Sequence, residues 1–384
     1  LQVPGFIYSR LTNPTVAALE ERCAALEDGI GATATASGHA AQILALFPLM
    51  SPGDEIVASN KLYGGSINQM GHSYKKFGWK TTFVDPDDPA NFKAAITDRT
   101  KAIFIESLAN PGGVVTDMDA IAKVAHDAGI VLMVDNTMAT PYLCRPFEHG
   151  ADIIVHSTTK FLSGNGSSMG GVVIDSGTYD WFQNDKYPSL TSPAAEYHGL
   201  TFAETFGNLS YTIYGHAVGL RDLGASQSPM NAYLTLLGIE TLPLRMERHC
   251  ANAQAVAEYL SAHDAVSWVS YAGLKDDKYH ALATRYLPKG AGAVFTFGLK
   301  GGFDAGITFV EALELFSHLA NIGDSRSLVI HPASTTHRQL SEAQQTAAGA
   351  GPDVVRLSIG IESIDDILAD LSQALDRCAS ATAV

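Results

Sequence analysis

Apolar positions along the chain follow two alternating rhythms. From residue 14 onward, short continuous apolar runs alternate with stretches in which apolar residues recur every three or four positions. "PTVAALEERCAALEDG" sets Val16, Leu19, Cys23 and Leu26 on one face, which predicts a helix capped at Gly29. "DEIVAS", "KTTFVD", "KAIFIES", "IVLMVD" and "ADIIVHS" are short strand-like runs, and apolar strands of this kind separated by helices imply a sheet covered on both faces. "MDAIAKVAHDAG", between two of them, has helical spacing and closes on glycine. Together these predict an α/β fold, a mostly parallel sheet covered by helices on both sides.

Residues 176–232 show no clean period and read as loops and short elements over the sheet. "IETLPLRMERHCANAQAVAEYLSAH" then predicts one long helix. After it the pattern changes: "AVFTFGL" as a strand, "FVEALELFSHL" as a helix, "VVRLSIG" as a strand, and a closing helix "SIDDILADLSQALDRCA" capped by Ser363. That is a second, smaller α+β domain.

Length and composition sharpen this picture. At 384 residues the chain has material for about two domains, and 46% hydrophobic against 17% charged residues is enough to fill their cores. With 25 Lys and Arg against 40 Asp and Glu, the net charge is −15, and no basic cluster interrupts it. Nucleic acid and anionic membranes are therefore excluded as expected partners, and any bound anion must be held by local geometry. The four cysteines are far apart without a CxxC spacing, which fits a reducing compartment. No apolar run reaches transmembrane length and no signal-like start is present, so a cytoplasmic location is expected. Leu1 is not an initiator methionine, which suggests numbering that begins inside a longer chain.

Candidate chemistry gathers at the predicted strand ends, where open α/β sheets bind their ligands. Lys160 follows "ADIIVHS" by three residues and sits among Ser157, Thr158, Thr159 and the glycines 164, 166, 170 and 171. A surface lysine after a strand would look the same on position alone, but a desolvated lysine can act as an amine nucleophile. Asp135 ends the preceding strand and either caps a turn or, if buried, needs a cationic partner such as a protonated pyridine ring. Ser37, Gly38 and His39 open an apolar helix whose first N–H groups suit a phosphate. Tyr63, beside two glycines, is a turn residue or a platform for a planar ring. Tyr8 and Arg10 read as an exposed tail or a phosphate clamp. An amine, a carboxylate, an anion cradle and an aromatic face are the parts that pyridoxal 5′-phosphate requires.

The motifs "NPT", "ASGHAA", "LYGGS", "ESLANPGG", "VDNT", "HSTTKFLSG", "HPASTTH" and "VRLSIGIE" stand in the order found in the Cys/Met-metabolism family of pyridoxal-phosphate enzymes, which the chain resembles over essentially its full length. The resemblance implies the fold type I architecture, with a remnant of an N-terminal arm at 1–11, a cofactor-binding domain at 12–260 and a C-terminal domain at 261–384. It implies that Lys160 is the Schiff-base lysine and proton shuttle, Asp135 the partner of the pyridine nitrogen, and Tyr63 the stacking residue and a possible helper in proton transfer. Backbone at Gly38 and His39, with the Ser157 and Thr159 hydroxyls, would hold the phosphate, joined by Tyr8 and Arg10 from a neighbouring subunit. Asn110 resembles the residue near the ring hydroxyl, Arg356 the grip on the substrate α-carboxylate, and Asn321 a second carboxylate contact.

"LYGGSINQMGHSYKKFGW", "AAEYHGLTFAE" and "LANIGDSRSLVIHPASTTH" are most like the family members that convert O-acetylhomoserine and sulfide to homocysteine and acetate, in methionine biosynthesis. A homotetramer of dimers that share active sites is implied as well. The alternatives are a cystathionine γ-synthase or a methionine or cystathionine γ-lyase of the same family, or a non-catalytic binding protein that retains the fold. Gly65 stands where methionine γ-lyases carry a cysteine, which argues against that activity. His39 stands where relatives carry other residues, but its implied contact is through backbone. The arm that normally precedes "YSR" is expected to be disordered or missing. His331 and His337 match no zinc spacing, and no metal is expected.

Overall fold

A computed structural model describes residues 5–110, 113–336, 338–339, 341–347 and 349–381. The chain divides into two compact units: residues 1–107, 116–163 and 167–240 form the first, and residues 108–115, 164–166 and 241–384 the second.

The first unit begins with helix α1 (Pro14–Glu27), strand β1 (Gly31–Thr35) and helix α2 (Gly38–Leu46). Strand β2 (Glu55–Ser59), a short helix α3 (Gly64–Asn68), β3 (Lys80–Val84), α4 (Pro89–Ala95) and β4 (Thr100–Glu106) follow. Helix α5 (Met118–Asp127), β5 (Val131–Asp135), β6 (Ile153–His156), β7 (Gly171–Asp175) and α6 (Pro229–Glu240) complete its main elements. The seven strands lie in the order β1-β7-β6-β5-β4-β2-β3, parallel except that β7 runs antiparallel to both of its neighbours. Residues 131–134 of β5 and 153–154 of β6 are fully buried, as a sheet covered on both faces requires.

Asn13 starts α1, its Oδ1 accepting the N–H groups of Thr15 (3.0 Å) and Val16 (3.3 Å), and Pro14 fits the first helical position. The helix ends one residue earlier than the glycine suggested. Asp28 takes the left-handed conformation (φ 65°), while Gly29 serves close packing, since a Cβ there would lie 2.6 Å from Ile174 Cγ2. Strands β1, "GATAT", and β7, "GVVID", were not legible as strands, because small residues and a glycine-rich surrounding mask them.

The second unit contains helix α7 (Leu242–Ser261), β8 (Val266–Ser270), β9 (Val294–Leu299), α8 (Gly302–Ala312), β10 (Ser317–His318), β11 (Leu328–Ile330), β12 (Val354–Ser358) and α9 (Ile364–Ala381). Its sheet has the order β10-β11-β12-β9-β8 and is antiparallel except at β10–β11. The single long helix expected over 239–263 is two helices broken at Thr241, with a proline in the first turn of the second. The sequence pattern kept that helix with the first domain through residue 260, whereas α7 packs with the second unit. Its buried His249 bonds Ile359 O through Nδ1 (2.6 Å), and Asn252 donates to Gly360 O (3.1 Å) and Glu362 O (3.0 Å). The helix expected over 309–319 stops at Ala312, because the Asp370 carboxylate accepts the N–H groups of Glu314, Leu315 and Phe316 and so replaces helical bonds there. Among the described residues no helix is long and apolar enough to cross a membrane.

Candidate active site

Parallel strands deliver their last residues to one edge of the first unit's sheet, and the chemistry stands there. At the end of β5, Asp135 turns its Oδ1 to the Thr137 N–H (3.0 Å), a local loop that fixes the side chain. Its Oδ2 lies 3.4 Å from Gln42 Nε2, and the same amide nitrogen donates to Ser66 Oγ at 2.9 Å. Thr137 reaches on to the next strand end, its Oγ1 accepting the Ser157 N–H at 2.8 Å. The turn after β6 then carries Thr159, whose Oγ1 exchanges hydrogen bonds with Gly170 (3.1 and 3.2 Å), and half-buried Lys160, whose N–H meets Ser157 O at 3.3 Å.

Helix α2 begins at the same edge. Ser37 Oγ accepts the Ala40 N–H (3.1 Å), and the first N–H groups of the helix open beside Ser157. The approach is so close that a Cβ on Gly38 would sit 2.7 Å from Ser157 Cβ. His39 holds its ring 5.9 Å from that of Tyr63, tilted by 34°. Its Nε2 is buried without a hydrogen-bond partner among the described residues, and burial lowers the imidazole pKa, with the nearby Asp135 charge working the other way. Tyr63, half-exposed, is anchored by its N–H on Glu106 Oε1 at 2.6 Å. A Cβ on Gly65 would meet the Tyr63 ring at 2.4 Å and the His39 ring at 2.9 Å, so this pairing of rings needs a glycine.

Gly38, His39, Tyr63, Asp135, Ser157, Thr159 and Lys160 are thus brought together in the first unit. In the second unit Arg356 donates to Asn110 Oδ1 and Asn321 O, both at 3.3 Å, so those three residues form a group of their own. Tyr8 and Arg10 pack against each other in the first unit. The Arg10 guanidinium stacks on the Tyr8 ring (5.1 Å) and donates to Arg221 O, beside a cavity of about 580 Å³ lined by residues 7–10 and 226–229. His331 spends both ring nitrogens on Ser334 Oγ (2.9 Å) and Pro352 O (2.8 Å), and His337 lies outside the described residues. Gln42, Ser66, Thr137 and Glu106 were not singled out from sequence. Gln42 alone carried a signal, as the one polar residue in the apolar run "AAQILALF".

The sequence profile described as "Cys/Met metabolism PLP-dependent enzyme" matches residues 1–376. This chain belongs to that Cys/Met-metabolism family. The family's cofactor, pyridoxal phosphate, fits the residues present: the α2 N-terminus and Ser157 suit the phosphate, the Thr159 hydroxyl would have to turn from Gly170 O to join them, the Asp135 carboxylate suits a protonated ring nitrogen, and His39 Nε2, unpartnered among the described residues, marks polar space beside Tyr63. Family relatives include the O-acetyl-L-homoserine sulfhydrylase of Leptospira meyeri, 51% identical over 98% of this chain and 87% of its own. The homocysteine synthase of Schizosaccharomyces pombe is 50% identical over 98% of this chain and 88% of its own. A solved structure described as an O-acetylhomoserine (thiol)-lyase from Campylobacter jejuni, with a pyridoxyl-lysine monophosphate, matches with a TM-score of 0.94 and 42% identity, covering 98% of this chain and 89% of that one.

Proposed function

We propose that this member of the Cys/Met-metabolism family is an O-acetylhomoserine sulfhydrylase, which replaces the acetate of O-acetyl-L-homoserine with sulfide to give L-homocysteine for methionine biosynthesis. The observation that carries the substrate is the 51% identity, along 98% of this chain, to a protein named for that reaction. Bound pyridoxal phosphate supplies an electron sink for negative charge at the substrate's α-carbon.

This chain's residues do the rest. Asp135, steadied by Thr137 and Gln42, is the partner of the ring nitrogen. The first N–H groups of α2 and the Ser157 hydroxyl would hold the phosphate, with Thr159 joining once its hydroxyl turns from Gly170 O, and Tyr63 would be the stacking residue for the ring. Lys160 Nζ would hold the cofactor and, as a free amine, would accept the proton from the substrate α-carbon. The same amine, assisted by Tyr63, would take a proton from the β-carbon as acetate leaves the γ-carbon with the bonding electron pair; hydrosulfide would bond at the γ-carbon, and Lys160 would return a proton to each of the β- and α-carbons. The roles implied for Arg356 and Asn321 are a fork and a second contact for the substrate α-carboxylate, and for Asn110 a contact near the ring hydroxyl.

The reading extends to assembly and location. Phe6, Ile7 and Tyr8 at one end and Met230, Tyr233 and Leu237 along α6 are exposed apolar side chains, which supports association into a homotetramer with sites shared across a dimer. In it Tyr8 and Arg10 would serve the partner's phosphate. Four buried cysteines that form no disulfide with one another suit the cytoplasm.

A product assay tests the reading. Purified protein with cofactor and O-acetylhomoserine should yield homocysteine only when sulfide is present, and Lys160→Ala should abolish it. Production of 2-oxobutyrate and ammonia regardless of sulfide would make the enzyme a γ-lyase. A protein with no spectral response to substrate would favour a non-catalytic role.

A further inference from the structure

A buried polar cluster that the proposed chemistry does not use stands immediately behind Asp135 and Ser157. Glu27, the last residue of α1, is 1% exposed. Its Oε1 accepts from His156 Nε2 at 2.6 Å and from Asn136 Nδ2 at 2.8 Å. Asn136 also donates to Cys144 O (2.9 Å), and its Oδ1 accepts from Ser107 Oγ (2.7 Å). Three of these partners adjoin a site residue or its anchor in sequence. Asn136 follows Asp135, His156 precedes Ser157, and Ser107 follows Glu106, which anchors Tyr63. One carboxylate oxygen therefore ties together the ends of β5 and β6 and, through Asn136 and Ser107, that of β4.

Stability alone does not account for this arrangement. A buried polar cluster commonly stabilises a fold no more than apolar side chains of the same volume would. This one also leaves Glu27 Oε2 and His156 Nδ1 buried without hydrogen-bond partners among the described residues, which adds to its cost. What the cluster supplies is direction: an acceptor at one fixed point, with donors from two strands converging on it. The neighbouring thiols do not compete, since burial, reinforced by the Glu27 charge, pushes Cys23 up to about 12 and raises Cys144 in the same way.

We infer that Glu27 is a positioning residue for the cofactor site, holding His156 and Asn136 so that Ser157 meets the phosphate and Asp135 meets the ring nitrogen. The inference rests on the roles proposed above for Asp135 and Ser157. Glu27→Gln keeps an oxygen acceptor in place, and Glu27→Leu removes it at similar volume. In the apoprotein titrated with pyridoxal phosphate, Glu27→Leu should weaken cofactor binding roughly tenfold or more, while Glu27→Gln should stay close to the parent. The visible band of the Glu27→Leu holoenzyme should change its pH midpoint by about half a pH unit or more, as a displaced Asp135 requires. A folded Glu27→Leu protein with parental affinity and an unmoved band overturns the inference. Should Glu27→Leu fail to fold, His156→Leu and His156→Gln give the same contrast, because the glutamine amide nitrogen can stand where Nε2 was. Asp135→Asn separates the two claims. A changed band there beside an unchanged one in Glu27→Leu refutes the role of Glu27, and the reverse result refutes the role of Asp135.

Discussion

Gln42 and Asp135, separated by 93 positions in sequence, face each other with Nε2 3.4 Å from Oδ2, while the same amide nitrogen is shared with Ser66. Gln42 is 3% exposed, so this contact is made out of water, where a hydrogen bond to a carboxylate contributes about 1.5–3 kcal/mol. Gln42→Leu should therefore lower kcat/KM about tenfold through a less well held Asp135. Gln42→Glu, which sets a like charge against Asp135, should lower it further and weaken cofactor binding. Steady-state kinetics and cofactor titration of the two variants check the order. Equal activity in all three proteins would remove Gln42 from the site's support.

Two glycines at the site should respond differently to alanine. At Gly38 the new Cβ would lie 2.7 Å from Ser157 Cβ and 3.0 Å from its Cα, against a strand end that cannot move freely. Gly38→Ala should cost about 1–3 kcal/mol in stability and weaken cofactor binding as well. At Gly65 the obstacles are the rings of Tyr63 and His39, and Tyr63 is half-exposed and able to swing away. Gly65→Ala should keep the melting temperature nearly unchanged and lose turnover instead. Thermal melts paired with kinetics separate the two behaviours.

Asp175, at the end of β7, gives stability a particular dependence on pH. Burial pushes its carboxyl up to about 7, against hydrogen bonds from Gly177 and Thr212 that favour the charged form. Because the folded state holds this proton at pH values where the unfolded chain has released it, stability should fall as pH rises from about 4 to about 7. Asp175→Asn removes this contribution and should flatten the fall, making the variant the more stable protein above pH 7 by about 1–3 kcal/mol. Urea denaturation midpoints at pH 5 and pH 8 test the sign. A variant less stable at both values would mean that the charged carboxylate is well accommodated.

Arg356 offers a test of substrate grip. Its guanidinium donates to two fixed acceptors, Asn110 Oδ1 and Asn321 O, which orient the fork. Arg356→Lys keeps the charge but not the planar pair of donors. The KM for O-acetylhomoserine should rise about tenfold or more, corresponding to one lost charge-assisted hydrogen bond, with cofactor affinity unchanged. An unaltered KM would place the carboxylate contact elsewhere.

The sequence made legible those features whose physical cause is local. Residues 102–105, 131–134 and 153–155 are buried on both faces of a parallel sheet, and their unbroken apolar runs say so. Lys160 and Asp135 stood out because charged residues at the exits of such runs are conspicuous. The supports around them were hidden, since their partners are distant in sequence. Glu27 lies in a helix with several other charges and looks like one more surface carboxylate until His156 and Asn136 are seen against it. Strands β1 and β7 are composed partly of glycine, alanine and threonine, and their pairing across the sheet makes them strands: β1 with β7, from Gly31–Asp175 to Thr35–Gly171, and β7 with β6. The helix that ends at Ala312 was overextended for the same reason, because the carboxylate that ends it belongs to Asp370.

The place of β7 has a consequence for how the protein comes to be assembled. Strand β1, and the turn that leads from it into α2, joins the rest of its sheet through β7, a segment about 140 positions further along the chain. The segment from Ser37 to His39, proposed to hold the phosphate, therefore cannot face Ser157 until β7, the last strand of this sheet along the chain, has inserted between β1 and β6. Such distant pairings form slowly compared with helices. Cofactor capture is then a marker of completed folding. On refolding, the visible absorbance of bound pyridoxal phosphate should lag behind the recovery of helical circular dichroism.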